Sequence, residues 1–151
     1  MTLPEEHQAG EAFGAAAREY CNLIDSAQVI GRSSLAAQLL ILLPTLLTTG
    51  RTLPNLFEDV PEDEGPARST EKWKERYDIL GAVFQEWDVY WVNFDPTQKE
   101  DSVAGSISDG LSDIYRDLME GLRWVDKGYP VAAIWTWNVN FSHWSRHALD
   151  I

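Results

Sequence analysis

GSISDGLSDIYRDLMEGL, residues 105–122, decides how the rest of the chain is read. Ser106, with Asp109 three residues on, is a helix-start signature in which a hydroxyl and an acidic side chain satisfy orphan backbone donors. Ile107, Leu111, Ile114, Leu118, Leu122 and Val125 then recur at helical spacing and predict one long buried face. Gly128 is a stop and Pro130 a start, so a tight turn should join this helix to an antiparallel partner. In that partner Ile134, Trp137, Phe141, Trp144 and Ala148 repeat the four-three rhythm.

Working outward, residues 2–30 read as a first helix. Thr2 and Glu5 form a capping box, Pro4 sits in the first turn, and Gly31 is the stop. Ser33 or Ser34 caps a second helix running to Gly50, apolar nearly all round and kinked or ended by Pro44, which suits the central helix of a bundle. Residues 51–68 hold three prolines and the acids Glu58, Asp59, Glu62, Asp63 and Glu64, a composition expected of an exposed loop. The loop lacks the spacing and glycine of an EF-hand. Ser69 or Thr70 caps a third helix whose stripe is Trp73, Tyr77, Leu80, Phe84, Trp87 and Trp91, ending before Asn93 because Pro96 disfavours helix at Asp95. A polar loop, residues 95–105, follows. No segment shows strand periodicity, and the expectation is a single all-α domain, residues 1–151, of about five helices.

Composition narrows the function classes. The chain has 151 residues, 44% of them hydrophobic, with seven tryptophans, enough for one well-filled core. One cysteine, Cys21, excludes an internal disulfide or a cysteine zinc cage and reads as a small buried residue. Against 24 acidic residues there are 12 lysines and arginines, a net charge of −12. That field repels phosphate backbones and no local basic cluster offsets it, so nucleic acid and anionic membrane are poor partners, whereas cations and basic proteins are attracted. The N-terminus has no basic leader with an apolar core. Residues 35–47 fall short of the roughly 20 that a membrane span needs and include Gln38 and Pro44. The expected setting is cytoplasmic.

Two constellations carry possible chemistry: Asp109, Asp113 and Asp117 on the fourth helix, and His143 and His147 on the fifth, where i, i+4 imidazoles can share one metal ion. At about 100° per residue the aspartates lie roughly 180°, 140° and 100° from their apolar stripe, and the histidines roughly 140° and 100° from theirs. In an antiparallel pair turning at residues 128–129, positions summing to about 257 are level. Asp109 and Asp113 then share a height with His143 and His147, a donor set suited to zinc, manganese or iron. A bland account also serves: Asp109 caps its helix, the other aspartates pair with Arg116 and Arg146, and the histidines lie on the surface. There is no phosphate loop, nucleophile elbow or di-iron Glu-x-x-His pair. Glu75 and Asp78 give one of the acidic spacings of all-α pyrophosphatases. His-x-x-x-His on a late helix is similar to metalloenzymes of the DinB type, whose third histidine could be matched only by His7.

VYWVNFDP (residues 89–96), SISDGLSDIYRDLMEGL (106–122) and FSHWSRH (141–147) together resemble an uncharacterised bacterial family of unknown function, family 5063. The family pattern has a second acidic residue where this chain has Gly110, and a glycine where it has Ser145. The resemblance implies a small helical protein and singles out Asp109, Asp113, Tyr115, Asp117, Trp137, His143, Trp144 and His147, while supplying no reaction. The leading expectation is a non-enzymatic protein that binds another protein, adaptor- or immunity-like, with no cofactor. An exposed aromatic patch at Trp87 and Trp91 or at Trp135 would support it. The alternative is a divalent-metal-dependent hydrolase using Asp109, Asp113, His143 and His147.

Overall fold

A computed structural model describes residues 1–61 and 69–151. It has six helices, α1 (Leu3–Asp25), α2 (Ala27–Arg51), α3 (Thr70–Phe84), α4 (Ile107–Asp126), α5 (Pro130–Val139) and α6 (Phe141–Asp150), and a two-stranded antiparallel sheet, β1 (Val89–Val92) with β2 (Val103–Ser106). The architecture is therefore mainly helical but not purely all-α.

The helix starts follow local chemistry. Thr2 and Glu5 close the capping box of α1, and Pro4 lies in its first turn. Ser69 caps α3 through its hydroxyl, which accepts from the Lys72 N–H, and Ser106 caps α4 by accepting from the Asp109 N–H. Asp88 does more of the work at α4 than sequence spacing suggests. Its carboxylate accepts from the Ser108 N–H at 2.6 Å and from the Ser106 and Ser108 hydroxyls at 2.9 Å.

That anchor explains the main departure from expectation. α3 stops at Phe84, Gln85 takes a positive φ of 51°, and after one 3-10 turn residues 89–92 run extended. The chain must leave the helix to bring Asp88 to the α4 terminus, and VYWV has the β-branched and aromatic residues that a strand favours. Trp91 pairs with Ala104 and Val92 with Val103, so residues 103–105 of the expected 95–105 loop are strand. Trp87 and Trp91 are consequently 62% and 70% exposed rather than part of a core stripe.

Three further boundaries differ. The first helix ends at Asp25, five residues early, and Gly31 (φ 78°) marks a break inside α2. The expected fifth helix breaks at Asn140, which takes φ −86°, ψ 0° and separates α5 from α6. The expected acidic loop is partly built in. Leu53 is buried, Glu58 accepts from the Ala132 N–H in the first turn of α5, and the Pro54 carbonyl accepts from Asn138. Glu62, Asp63 and Glu64 lie outside the described residues.

α4, not α2, is the central helix, packing against α1, α3, α5 and α6. It buries Leu111, Ile114, Leu118 and Leu122 against Phe13, Tyr20, Leu80, Trp137 and Trp144. α2 contributes Leu35, Leu39, Leu42, Leu43 and Leu46 to the core, yet exposes Val29, Leu40 and Ile41. By length and composition alone it would suffice to cross a membrane. Gly121 lets α5 approach closely. A Cβ there would lie 2.1 Å from the Trp137 indole nitrogen, which donates to the Leu118 carbonyl at 3.0 Å.

Candidate functional site

α4 and α6 bring Asp113, Asp117, His143 and His147 together. One imidazole nitrogen of His143, Nδ1, lies 2.6 Å from Asp117 Oδ2, and His147 Nε2 lies 3.2 Å from Asp113 Oδ2. The two rings meet edge to face with centroids 5.1 Å apart. A carboxylate can only accept, so His143 carries its proton on Nδ1 and keeps the Nε2 lone pair when neutral.

The two carboxylates have different surroundings. Asp117 is 2% exposed, and its other oxygen lies 3.6 Å from Arg116 Nε. Asp113 is half-buried and receives three partners: Arg116 at 3.1 Å, His147, and the indole N–H of Trp73 at 2.9 Å. Burial acts most strongly on the Asp113 carboxyl and pushes its pKa up. The bonds from His147 and Trp73 and the Arg116 charge together outweigh it, holding the carboxyl below the ordinary value of 3.8. The hydrogen bond to Asp113 is the largest influence on His147 and raises its imidazole above 6.5 against the effect of burial.

Asp109 stands apart. Burial first, and the neighbouring charge of Asp113 second, push its carboxyl above the ordinary range. It lines a groove of about 650 Å³ between the hairpin and α6 with Tyr90, Phe94, His143, Arg146 and His147. One ligand atom each from Asp113, His143 and His147 lie within 4.8 Å of one another, and Asp109 is not in that set. Two donors 3.2 Å apart, as on Asp113 and His147, subtend about 100° at an ion bound at about 2.05 Å to each, an acceptable ligand angle. Opposite ligands of one ion stand about 4.2 Å apart, so a separation near the upper limit would need a side-chain adjustment.

The remaining singled-out residues serve elsewhere. Trp137 and Trp144 are buried, with their N–H groups donating to the Leu118 and Trp137 carbonyls. The Tyr115 hydroxyl donates to Asp25, and its ring stacks under the Arg76 guanidinium at 3.3 Å. His7 lines a different groove, beside Gly10, Val125 and Pro130. Asp78 pairs with Lys74 on the surface. Arg146 pairs with neither aspartate; its guanidinium lies over the Phe94 ring at 5.9 Å. Sequence reasoning missed Trp73 and Tyr90. Trp73 reads as one more residue of an apolar stripe, and Tyr90 reaches the groove only because its strand folds back. Gly110 brings α4 against the C-terminus, since a Cβ there would lie 2.9 Å from Ile151 Cδ1 and 3.5 Å from His147 Nδ1.

Comparison with known proteins adds fold and family. A Bacteroides fragilis protein of known crystal structure, BF1032, superposes with a TM-score of 0.78 at 21% identity, covering 92% of this chain and 84% of that one. At that identity the likeness shows a shared fold. No curated protein matches the sequence significantly. The model of the domain of unknown function DUF5063 matches residues 5–151, so the chain belongs to that family.

Proposed function

We propose that the groove binds a divalent cation through Asp113, His143 and His147, and that the bound ion serves hydrolysis by polarising a substrate bond or activating water. The observation that carries this reading is Asp117 behind His143. A buried carboxylate on one imidazole nitrogen orients the ring and leaves the other nitrogen for a metal, the arrangement that supports most histidine ligands. Asp109, at the groove rim with a raised pKa, is suited to proton transfer. Tyr90, Phe94 and Arg146 would contact the substrate. Arg116 beside Asp113 opposes the ion's charge, and the proton on His147 competes with it, so affinity rises with pH.

The test is thermal unfolding of metal-stripped protein across magnesium, manganese, cobalt, nickel and zinc, repeated on His147→Ala. An ion at a hundred times its dissociation constant adds about 2.7 kcal/mol. For a domain of this size that raises Tm by about 5 to 10 °C. A rise with one or two ions, lost in the variant, supports the reading. Unchanged unfolding with every ion rules it out.

A second reading rests on a separate observation: Trp87, Trp91 and Phe94, each more than 60% exposed, sit together in sequence on and beside the hairpin of a strongly acidic chain. Large exposed aromatics supply binding energy at protein interfaces. On this reading the protein is an adaptor-like partner of a basic protein. A partner retained by the wild type and released by Trp87→Ser/Trp91→Ser supports it; equal retention by both contradicts it.

A further inference from the structure

Between α3 and α4 lies a second cavity, of about 170 Å³, on which Lys72, Arg76, Arg116 and Arg123 converge. Among the described residues, Glu120 is the one carboxylate on its wall. A third of the chain's 12 basic residues thus surround one small space in a molecule of net charge −12. We propose that this cavity binds the phosphate group of a small soluble ligand.

Three features beyond the count of charges point there. The Arg76 guanidinium carbon stands 3.3 Å from the centre of the Tyr115 ring, a contact that holds this cation in place on the cavity wall. Arg116 Nε is buried and makes no hydrogen bond, standing 3.6 Å from the nearest Asp117 oxygen. The Arg116 side chain, 31% exposed, lines the cavity and is held in place by Asp113 and Asp117. Ser69, the N-cap of α3, is on the wall, so the positive end of a 15-residue helix adds to the same potential. Several guanidinium groups and an ammonium around a compact space match a tetrahedral dianion better than a singly charged carboxylate. The cluster is confined to one cavity, whereas a nucleic-acid surface needs a basic stripe following a backbone.

The cavity adjoins the proposed metal centre, since Arg116 pairs with Asp113 and Trp73 donates to it, but Lys72 and Arg76 make no contact with Asp113, His143 or His147 among the described interactions. The test is isothermal titration of the full chain with inorganic phosphate and with pyrophosphate at constant ionic strength, using acetate and chloride as controls. Lys72→Gln and Arg76→Gln are titrated alongside. Lys72 is exposed, so its substitution should leave the fold intact even if loss of the Arg76 stacking does not. Saturable one-site binding of pyrophosphate, weakened about tenfold in Lys72→Gln, is expected. Heats equal to the acetate control, or equal affinity in wild type and Lys72→Gln, would overturn the proposal. Tighter binding of a single-stranded oligonucleotide than of pyrophosphate would overturn the small-ligand assignment.

Discussion

Replacing Gly121 by alanine should destabilise the protein, although the same change in an ordinary helix interior stabilises it by about 1 kcal/mol. The added Cβ would stand 2.1 Å from Trp137 Nε1, 2.3 Å from Cε2 and 2.6 Å from Cδ1. None of these is a flexible end. Trp137 is 1% exposed, Phe13 packs edge-on against it at 4.9 Å, and its N–H is held by the Leu118 carbonyl. Moving the indole by more than an ångström strains a packed core, at about 1–3 kcal/mol. It also leaves a buried donor unsatisfied, at a further 1–3 kcal/mol or so. After the propensity gain is subtracted, the net loss is about 1–5 kcal/mol. With about 3 kcal/mol as the centre, Tm falls by about 6–12 °C. Gly81→Ala is the matched comparison. Its Cβ meets only Ser108 Oγ, at 3.9 Å, so it should gain the propensity term and raise Tm by about 2–4 °C. Thermal unfolding of both variants by circular dichroism checks the pair. A Gly121→Ala protein as stable as the wild type would refute the close approach of α5 to α4, and with it the frame that carries the histidines to the aspartates.

Other expectations concern the site and the single thiol. The Asp113–His147 pair stabilises most between about pH 4 and 6.5. The raised imidazole loses its contribution as pH climbs through its folded pKa, and the lowered carboxyl loses its own as pH falls through its own. His147→Gln should therefore flatten the alkaline side of a Tm–pH curve, and a fall in Tm from pH 6 to 8 as steep as the wild type's would contradict the pairing. Asp117→Asn, which keeps the shape but weakens the hold on His143, should lower divalent-ion affinity about 10- to 100-fold in calorimetry. Unaltered affinity would mean that His143 is no ligand. Burial pushes the Cys21 thiol up to about 12, so native protein should react with a disulfide reagent only as fast as it unfolds. A stoichiometric burst in native buffer would show the core to be open there.

Much of the helical frame was legible because its signals are local. Thr2 with Glu5, Ser69, Ser106, Gly128 and Pro130 each act through backbone groups within a turn of themselves, and they stand where their chemistry suggests. The hairpin was not legible, since Trp87 and Trp91 continue the four-three spacing of Trp73 to Phe84 and only the long-range bonds from Asp88 to Ser106 and Ser108 override it. The break at Asn140 is likewise unmarked by any proline or glycine. Apolar composition made α2 look central, yet α4, with its aspartates and serines, is the helix that more neighbours touch. Burial of Ser108, Ser112 and Asp117 depends on which partners surround them, and periodicity cannot report that.

The candidate site divides in the same way. Helical spacing put Asp109 and Asp113 level with His143 and His147, but it could not show whether those flanks face each other. It could not separate Asp109 from the cluster, nor supply Trp73 from α3 and Tyr90 from β1. The basic cavity was hidden for a related reason. Lys72 and Arg76 lie one turn apart on α3, Arg116 and Arg123 two turns apart on α4, and no stretch of sequence holds all four.

Crystals of the wild-type chain soaked in zinc or manganese and measured at the metal's absorption edge would test the central claim most directly. One anomalous peak is expected at about 2.0–2.2 Å from His143 Nε2, His147 and an Asp113 oxygen, with Asp117 still on His143 Nδ1 and no peak in crystals of His147→Ala. Anomalous density elsewhere on the acidic surface, with the Asp113–His147 pair closed and undisturbed, would contradict it.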